Sequence, residues 1–137
     1  MSRGFEGWKK KDVWTQDGEN YRVEISRHEA YGDDDEKNRW CVYAWIYRCH
    51  WLFDRFSPEQ NTWDSPYIEG GHSYPSYFKA HRNNQGEVVA YQKGWDYNHD
   101  GDYRFGGMTK QEDAWEVFSD ANLMFKYLAV RETEGES

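Results

Sequence analysis

From Arg39 to His50 apolar residues occupy both parities of an extended run: Val42, Ala44 and Ile46 on one face, Cys41, Tyr43, Trp45 and Tyr47 on the other. Side chains alternate across a strand with period two, so this pattern predicts a central strand covered on two sides. Such a strand needs partners in register, and the sequence supplies them. Tyr21, Val23 and Ile25 alternate with Arg22, Glu24 and Ser26 behind the Asp17-Gly18 turn signal. Tyr77 to Arg82 and Val88 to Lys93 flank Asn83-Asn84-Gln85-Gly86, a four-residue hairpin connection. An antiparallel sheet of about four or five strands follows.

Toward the C-terminus the period changes. Thr109 and Glu112 have the spacing of a capping box, in which each side chain takes an orphan backbone N–H. Ala114, Val117, Phe118, Ala121, Phe125 and Leu128 then recur at steps of three and four, one buried stripe on a long helix that lies across the sheet. The predicted class is α+β, with residues 1–130 as a single domain and 131–137 as a frayed acidic tail. Between Trp51 and Ser76 the pattern breaks: Leu52, Phe53 and Phe56 predict one helical turn before Pro58, then Pro66, Gly70, Gly71 and Pro75 punctuate a long irregular connection. Loops of that length in small domains tend to carry function or motion.

The chain has 137 residues, enough for one core, and that core must be built largely from rings, since 8 Trp, 11 Tyr and 7 Phe accompany few aliphatic side chains. No apolar run approaches the ~18 residues of a membrane span, and residues 1–6 lead into no export segment, so a soluble cytoplasmic protein is expected. Cys41 and Cys49, read as lying on one strand, would be about 26 Å apart, beyond the ~7 Å limit for a bridge, and two free thiols suit a reducing compartment.

The net charge of −8 is concentrated. Asp33, Asp34, Asp35 and Glu36 oppose only Lys37, and Asp96, Asp100, Asp102, Glu112, Asp113, Glu116 and Asp120 oppose only Arg104 and Lys110. The other segments balance, which argues against direct nucleic-acid binding and for a negative face. The expected partner-binding residues are Asp33, Asp34, Asp35, Glu36, Asp96, Asp100 and Asp102, with Trp95, Tyr97 and Tyr103 as aromatic anchors.

Within that region Asp96, Asn98, Asp100, Gly101 and Asp102 match the alternating oxygens and turn glycine of a calcium loop, yet the closing position, which requires a bidentate carboxylate, is Gly107. No cofactor or metal is therefore expected; the alternative is Ca²⁺ held by Asp96, Asn98, Asp100 and Asp102. His28, His50, His72, His81 and His99 show no zinc spacing, and Cys49, Ser73 and Ser76 lie in no nucleophile motif, so no catalytic residue is predicted.

Cys49-His50 with Leu52-Phe53 and Phe56, Gly70-Gly71-His72-Ser73-Tyr74, Asp96-Tyr97-Asn98-His99 with Arg104-Phe105, and Asp113-Ala114-Trp115-Glu116-Val117-Phe118 together resemble small uncharacterised proteins of phages and other bacterial mobile elements. The resemblance spans residues 39–128 and carries over no catalytic residue. What it implies is a setting, the cytoplasm of a bacterial host, where small acidic proteins often inhibit defence machinery as anti-CRISPR or DNA-mimic proteins. The expected function is stoichiometric binding of a protein whose basic surface normally engages nucleic acid. The alternative is a small-ligand or metal-binding protein or small enzyme using the 66–76 and 96–105 loops.

Overall fold

The computed structural model describes residues 8–30, 38–97 and 103–134. Among these residues five strands, β1 (Trp8–Asp17), β2 (Tyr21–Ala30), β3 (Asn38–Tyr47), β4 (Tyr77–Arg82) and β5 (Val88–Asp96), form one antiparallel sheet in the order β1-β2-β3-β5-β4. Among the described residues one α-helix, α1 (Trp115–Glu134), completes an α+β fold. No helix among the described residues is long and apolar enough to cross a membrane.

Register explains which face is buried. Tyr21, Val23 and Ile25 oppose Ile46, Ala44 and Val42, and Val42 and Ile46 in turn oppose Trp95 and Tyr91. This face, with Trp40, packs against Val117, Ala121, Met124 and Leu128 of α1, all nearly inaccessible to solvent. Phe118 sets its edge against Trp14 and Trp40. Met124 was not in the stripe expected from spacing, although it lies three residues beyond Ala121 and shares its face.

The helix begins at Trp115, later than the Thr109–Glu112 spacing implies, because residues 110–114 form turns whose bonds run from Asp113 and Ala114 N–H back to the Lys110 carbonyl. At the other end the helix continues through Glu134, past the expected boundary at 130.

Two further expectations are corrected. The second face of β3 carries no helix or strand layer among the described residues; its side chains cover one another instead. Trp45 Nε1 donates to Glu24, its ring lies 4.8 Å from His81, and Tyr43 meets Tyr77 edge-on. The connection 51–76 roofs the core beside α1. Leu52, Phe56 and Ile68 are buried there, and Phe56 stacks on Tyr91 and Phe78. The buried Lys93, on the core face, donates to the carbonyls of Ser65 and Pro66 and so fastens this roof to β5. Cys49 lies beyond the end of β3, in a turn at φ 78°, and neither cysteine is in a disulfide.

Candidate interaction site

Two glycines set the site's geometry. A Cβ at Gly70 (φ 98°) would stand 2.7 Å from the Asp120 carbonyl oxygen and the Met124 nitrogen, and one at Gly71 would stand 2.3 Å from Trp95 Nε1. Only glycine lets this loop touch helix backbone and indole together. The next residue, His72, is thereby laid on Tyr97, with ring centroids 4.2 Å apart and planes 15° apart, and Phe105 closes edge-on against both. The Tyr97 hydroxyl donates to Asp120 Oδ2 across 2.7 Å. Beside these groups opens a cavity of about 330 Å³, whose far wall is Trp115, Glu116 and Ser119 on the first turns of α1. Trp115 is 64% exposed.

The same end of the sheet gathers the ends of both acidic segments. Residues 31–37 join β2 to β3, and residues 98–102 follow β5; Asn38 pairs with Glu29, and Cys41 with Asp96. The Tyr97 N–H donates to the Trp40 carbonyl, carrying the chain one residue beyond β5. After the second segment the chain is pinned back to β3: Asn38 Nδ2 donates to the Gly106 carbonyl at 2.9 Å and Trp40 Nε1 to the Met108 carbonyl at 3.1 Å. Arg27 steadies this corner by donating to Asp12 and Asn38. Glu112 and Asp113 are exposed immediately before α1.

Of the expected partner-binding residues, Asp33, Asp34, Asp35, Glu36, Asp100 and Asp102 lie outside the described residues, as does the side chain of Tyr103, which begins a 3-10 turn spanning Tyr103–Gly107. Asp96 is half-buried at the end of β5. Trp95 and Tyr97 require a correction: they are 4% and 1% exposed and belong to the core, because their register puts them under the helix and the 66–76 roof. They cannot present rings to a partner. Exposed rings stand elsewhere, at Trp115 and in the irregular connection, where Trp63 (70% exposed) stacks on Tyr74 and Tyr67 meets Tyr127 edge-on. The signal for Trp115 was present in the helical period, which leaves position 115 off the buried stripe.

Among the described residues no group of three or more His, Cys, Asp and Glu side chains can hold a metal ion. Asn98, Asp100 and Asp102 of the alternative calcium set lie outside the described residues. His72, Tyr97 and Phe105 do bring the 66–76 and 96–105 loops to one cavity. A second cleft, of about 230 Å³, opens on the uncovered sheet face among His28, Arg39, Cys41, Tyr43, Tyr77 and Asp96. Burial and the adjacent Cys41 push the Tyr43 phenol far up, so it stays a neutral hydroxyl at physiological pH. Comparison with protein-family models, curated proteins and solved structures finds no match to this chain.

Proposed function

We propose that the protein acts by stoichiometric binding, using the acidic end of its sheet against a protein whose basic surface otherwise engages nucleic acid. One observation carries this reading: the described ends of both acidic segments, together with Glu112, Asp113 and Glu116 ahead of and on α1, converge at a single end of the molecule, beside the exposed ring of Trp115. Arg27, Arg39 and Lys110 share this end, but its acidic side chains would steer encounter with a basic surface, and a ring beside them supplies an anchor that charge alone lacks. Inhibition of a bacterial defence complex is the biological setting that the sequence resemblance implies for such binding.

The test starts from a partner captured from bacterial lysate and then purified. Asp34→Lys, Asp102→Lys and Asp113→Lys should each weaken binding more at low than at high salt, because exposed charges are screened over roughly 8–10 Å, and nucleic acid should compete. Affinity indifferent to salt and to all three reversals would sink the proposal. A second reading, a small-ligand protein, draws on the cavity shared by the 66–76 and 96–105 loops. Tight binding of a metabolite without any protein partner would favour it.

A further inference from the structure

The cavity beside Tyr97 combines three properties. Its inner wall is aromatic and fixed: His72 lies flat on Tyr97, and Phe105 buttresses both edge-on. Its outer wall is an indole on the first turn of α1, Trp115, held 64% in solvent although nothing in the helical period requires a Trp there. Its acidic side is Glu116 and Asp120, four residues apart and hence on one helix face. The Asp120 carboxylate is held in place by the buried Tyr97 hydroxyl.

Ring faces attract cations through their quadrupole, and carboxylates attract them through charge; an anion is opposed by both. A planar cation gains most, since a guanidinium can stack on one ring while donating in parallel to a carboxylate, which a compact ammonium cannot do. About 330 Å³ lies at the small end of ligand sites and suits a single side chain. Because Asp120 is oriented before any guest arrives, less ordering is needed on binding. We infer that this cavity is a socket for an arginine side chain of the bound protein, an inference that rests on the binding reading above and names the group recognised. Trp115 then serves as the anchor that Trp95 and Tyr97, being buried, cannot provide.

The probe is N-acetyl-arginine amide, titrated into the ¹⁵N-labelled full chain while the Trp115 indole N–H and the Tyr97 amide are followed by NMR; the neutral N-acetyl-citrulline amide is the isosteric control. Saturable shifts at both positions are expected with arginine, with a dissociation constant of about 1–10 mM, and the citrulline analogue should bind about tenfold more weakly. Asp120→Asn should weaken the arginine probe about fivefold. Trp115→Ala, at a position 64% exposed, should abolish saturation. Absence of shifts at about 50 mM probe, equal binding of citrulline, or indifference to both substitutions overturns the socket. If the probe fails while a purified partner still binds in a salt-dependent, reversal-sensitive way, the socket is wrong and the binding reading stands. If the probe binds as expected while partner affinity ignores the reversals, the socket stands and the basic-surface reading falls.

Discussion

The Lys93 ammonium sits 2.6 Å from the Pro66 carbonyl oxygen, on the core face of β5 and opposite Ala44. It is 4% exposed, also reaches the Ser65 carbonyl, and lies 5.7 Å from the centroid of the Trp95 ring. Two main-chain carbonyls and a ring face thus stand in for the water it has lost. A buried cation thus helps tie the sheet to its irregular roof.

Burial lowers the Lys93 pKa from 10.5 to about 8. The folded state therefore releases this proton before the unfolded state does. Below pH 8 both states carry it, and the penalty for burying charge is complete; between pH 8 and 10.5 the folded state sheds it and the penalty is relieved. Stability of the wild type relative to Lys93→Met should consequently rise with pH across that window. Urea midpoints of the two proteins at pH 7.5, 9 and 10.5 check it, and a constant difference refutes it.

His50 gives a second dependence of the same sign in a lower range. The Leu52 N–H donates to Nδ1, so the ring is neutral with its proton on Nε2, which donates to the Leu128 carbonyl near the end of α1. Burial lowers its pKa below the ordinary 6.5, against the raising effect of the Leu128 carbonyl. Protonation would set a new N–H against the Leu52 N–H. Stability should fall as pH drops below 6.5, and fall less in His50→Gln. Thermal midpoints at pH 7.5 and 5.0 for both proteins give the comparison; parallel losses would show that His50 has the same pKa folded and unfolded.

The sheet was legible in the sequence because its signals are local. Alternation in Tyr21 to Ile25 and Val42 to Ile46, and turn residues at Asp17-Gly18 and Asn83 to Gly86, each act within a few positions. The roof was not legible. Leu52, Phe56 and Ile68 have no common period, and Phe56 is covered by stacking on Tyr91 and Phe78, which are distant in sequence. Gly70 and Gly71 were read only as punctuation of a long connection for the same reason, since their cause is the close approach of Asp120, Met124 and Trp95. Among the site residues, the charge concentration around Glu112, Asp113 and Glu116 was visible, whereas the burial of Trp95 and Tyr97 was not. A ring at a strand end reads identically whether it meets solvent or a helix.

Phe118→Ala tests the packing of α1. The ring is partly buried and lies 5.0 Å from Trp14 and 6.0 Å from Trp40, centroid to centroid. Its removal should cost about 3 kcal/mol, toward the lower end for aromatic truncation because some solvent already reaches it. Lys126→Ala, on the exposed face, should change stability by less than about 0.5 kcal/mol. Urea denaturation of both variants measures the contrast, and similar midpoints would place Phe118 outside the core.

The hydroxyl of Tyr97 and the carboxylate of Asp120 should be energetically coupled. Asp120 stands off the helix's buried stripe, and by period alone its replacement would cost little. The structure instead makes it the acceptor for a side chain that is 1% exposed. Asp120→Ala would strand the phenolic O–H at a site where water replaces the lost partner poorly, costing about 1–3 kcal/mol. Tyr97→Phe removes the donor, keeps the ring that supports His72 and Phe105, and should cost about 1 kcal/mol. Once the hydroxyl is gone, Asp120→Ala has less to lose. The double variant should therefore be less destabilised than the two single costs combined, by a coupling of about 1 kcal/mol or more. Equilibrium urea unfolding of the four proteins closes the cycle; strict additivity would mean that the 2.7 Å contact contributes nothing to holding Asp120 at the cavity wall.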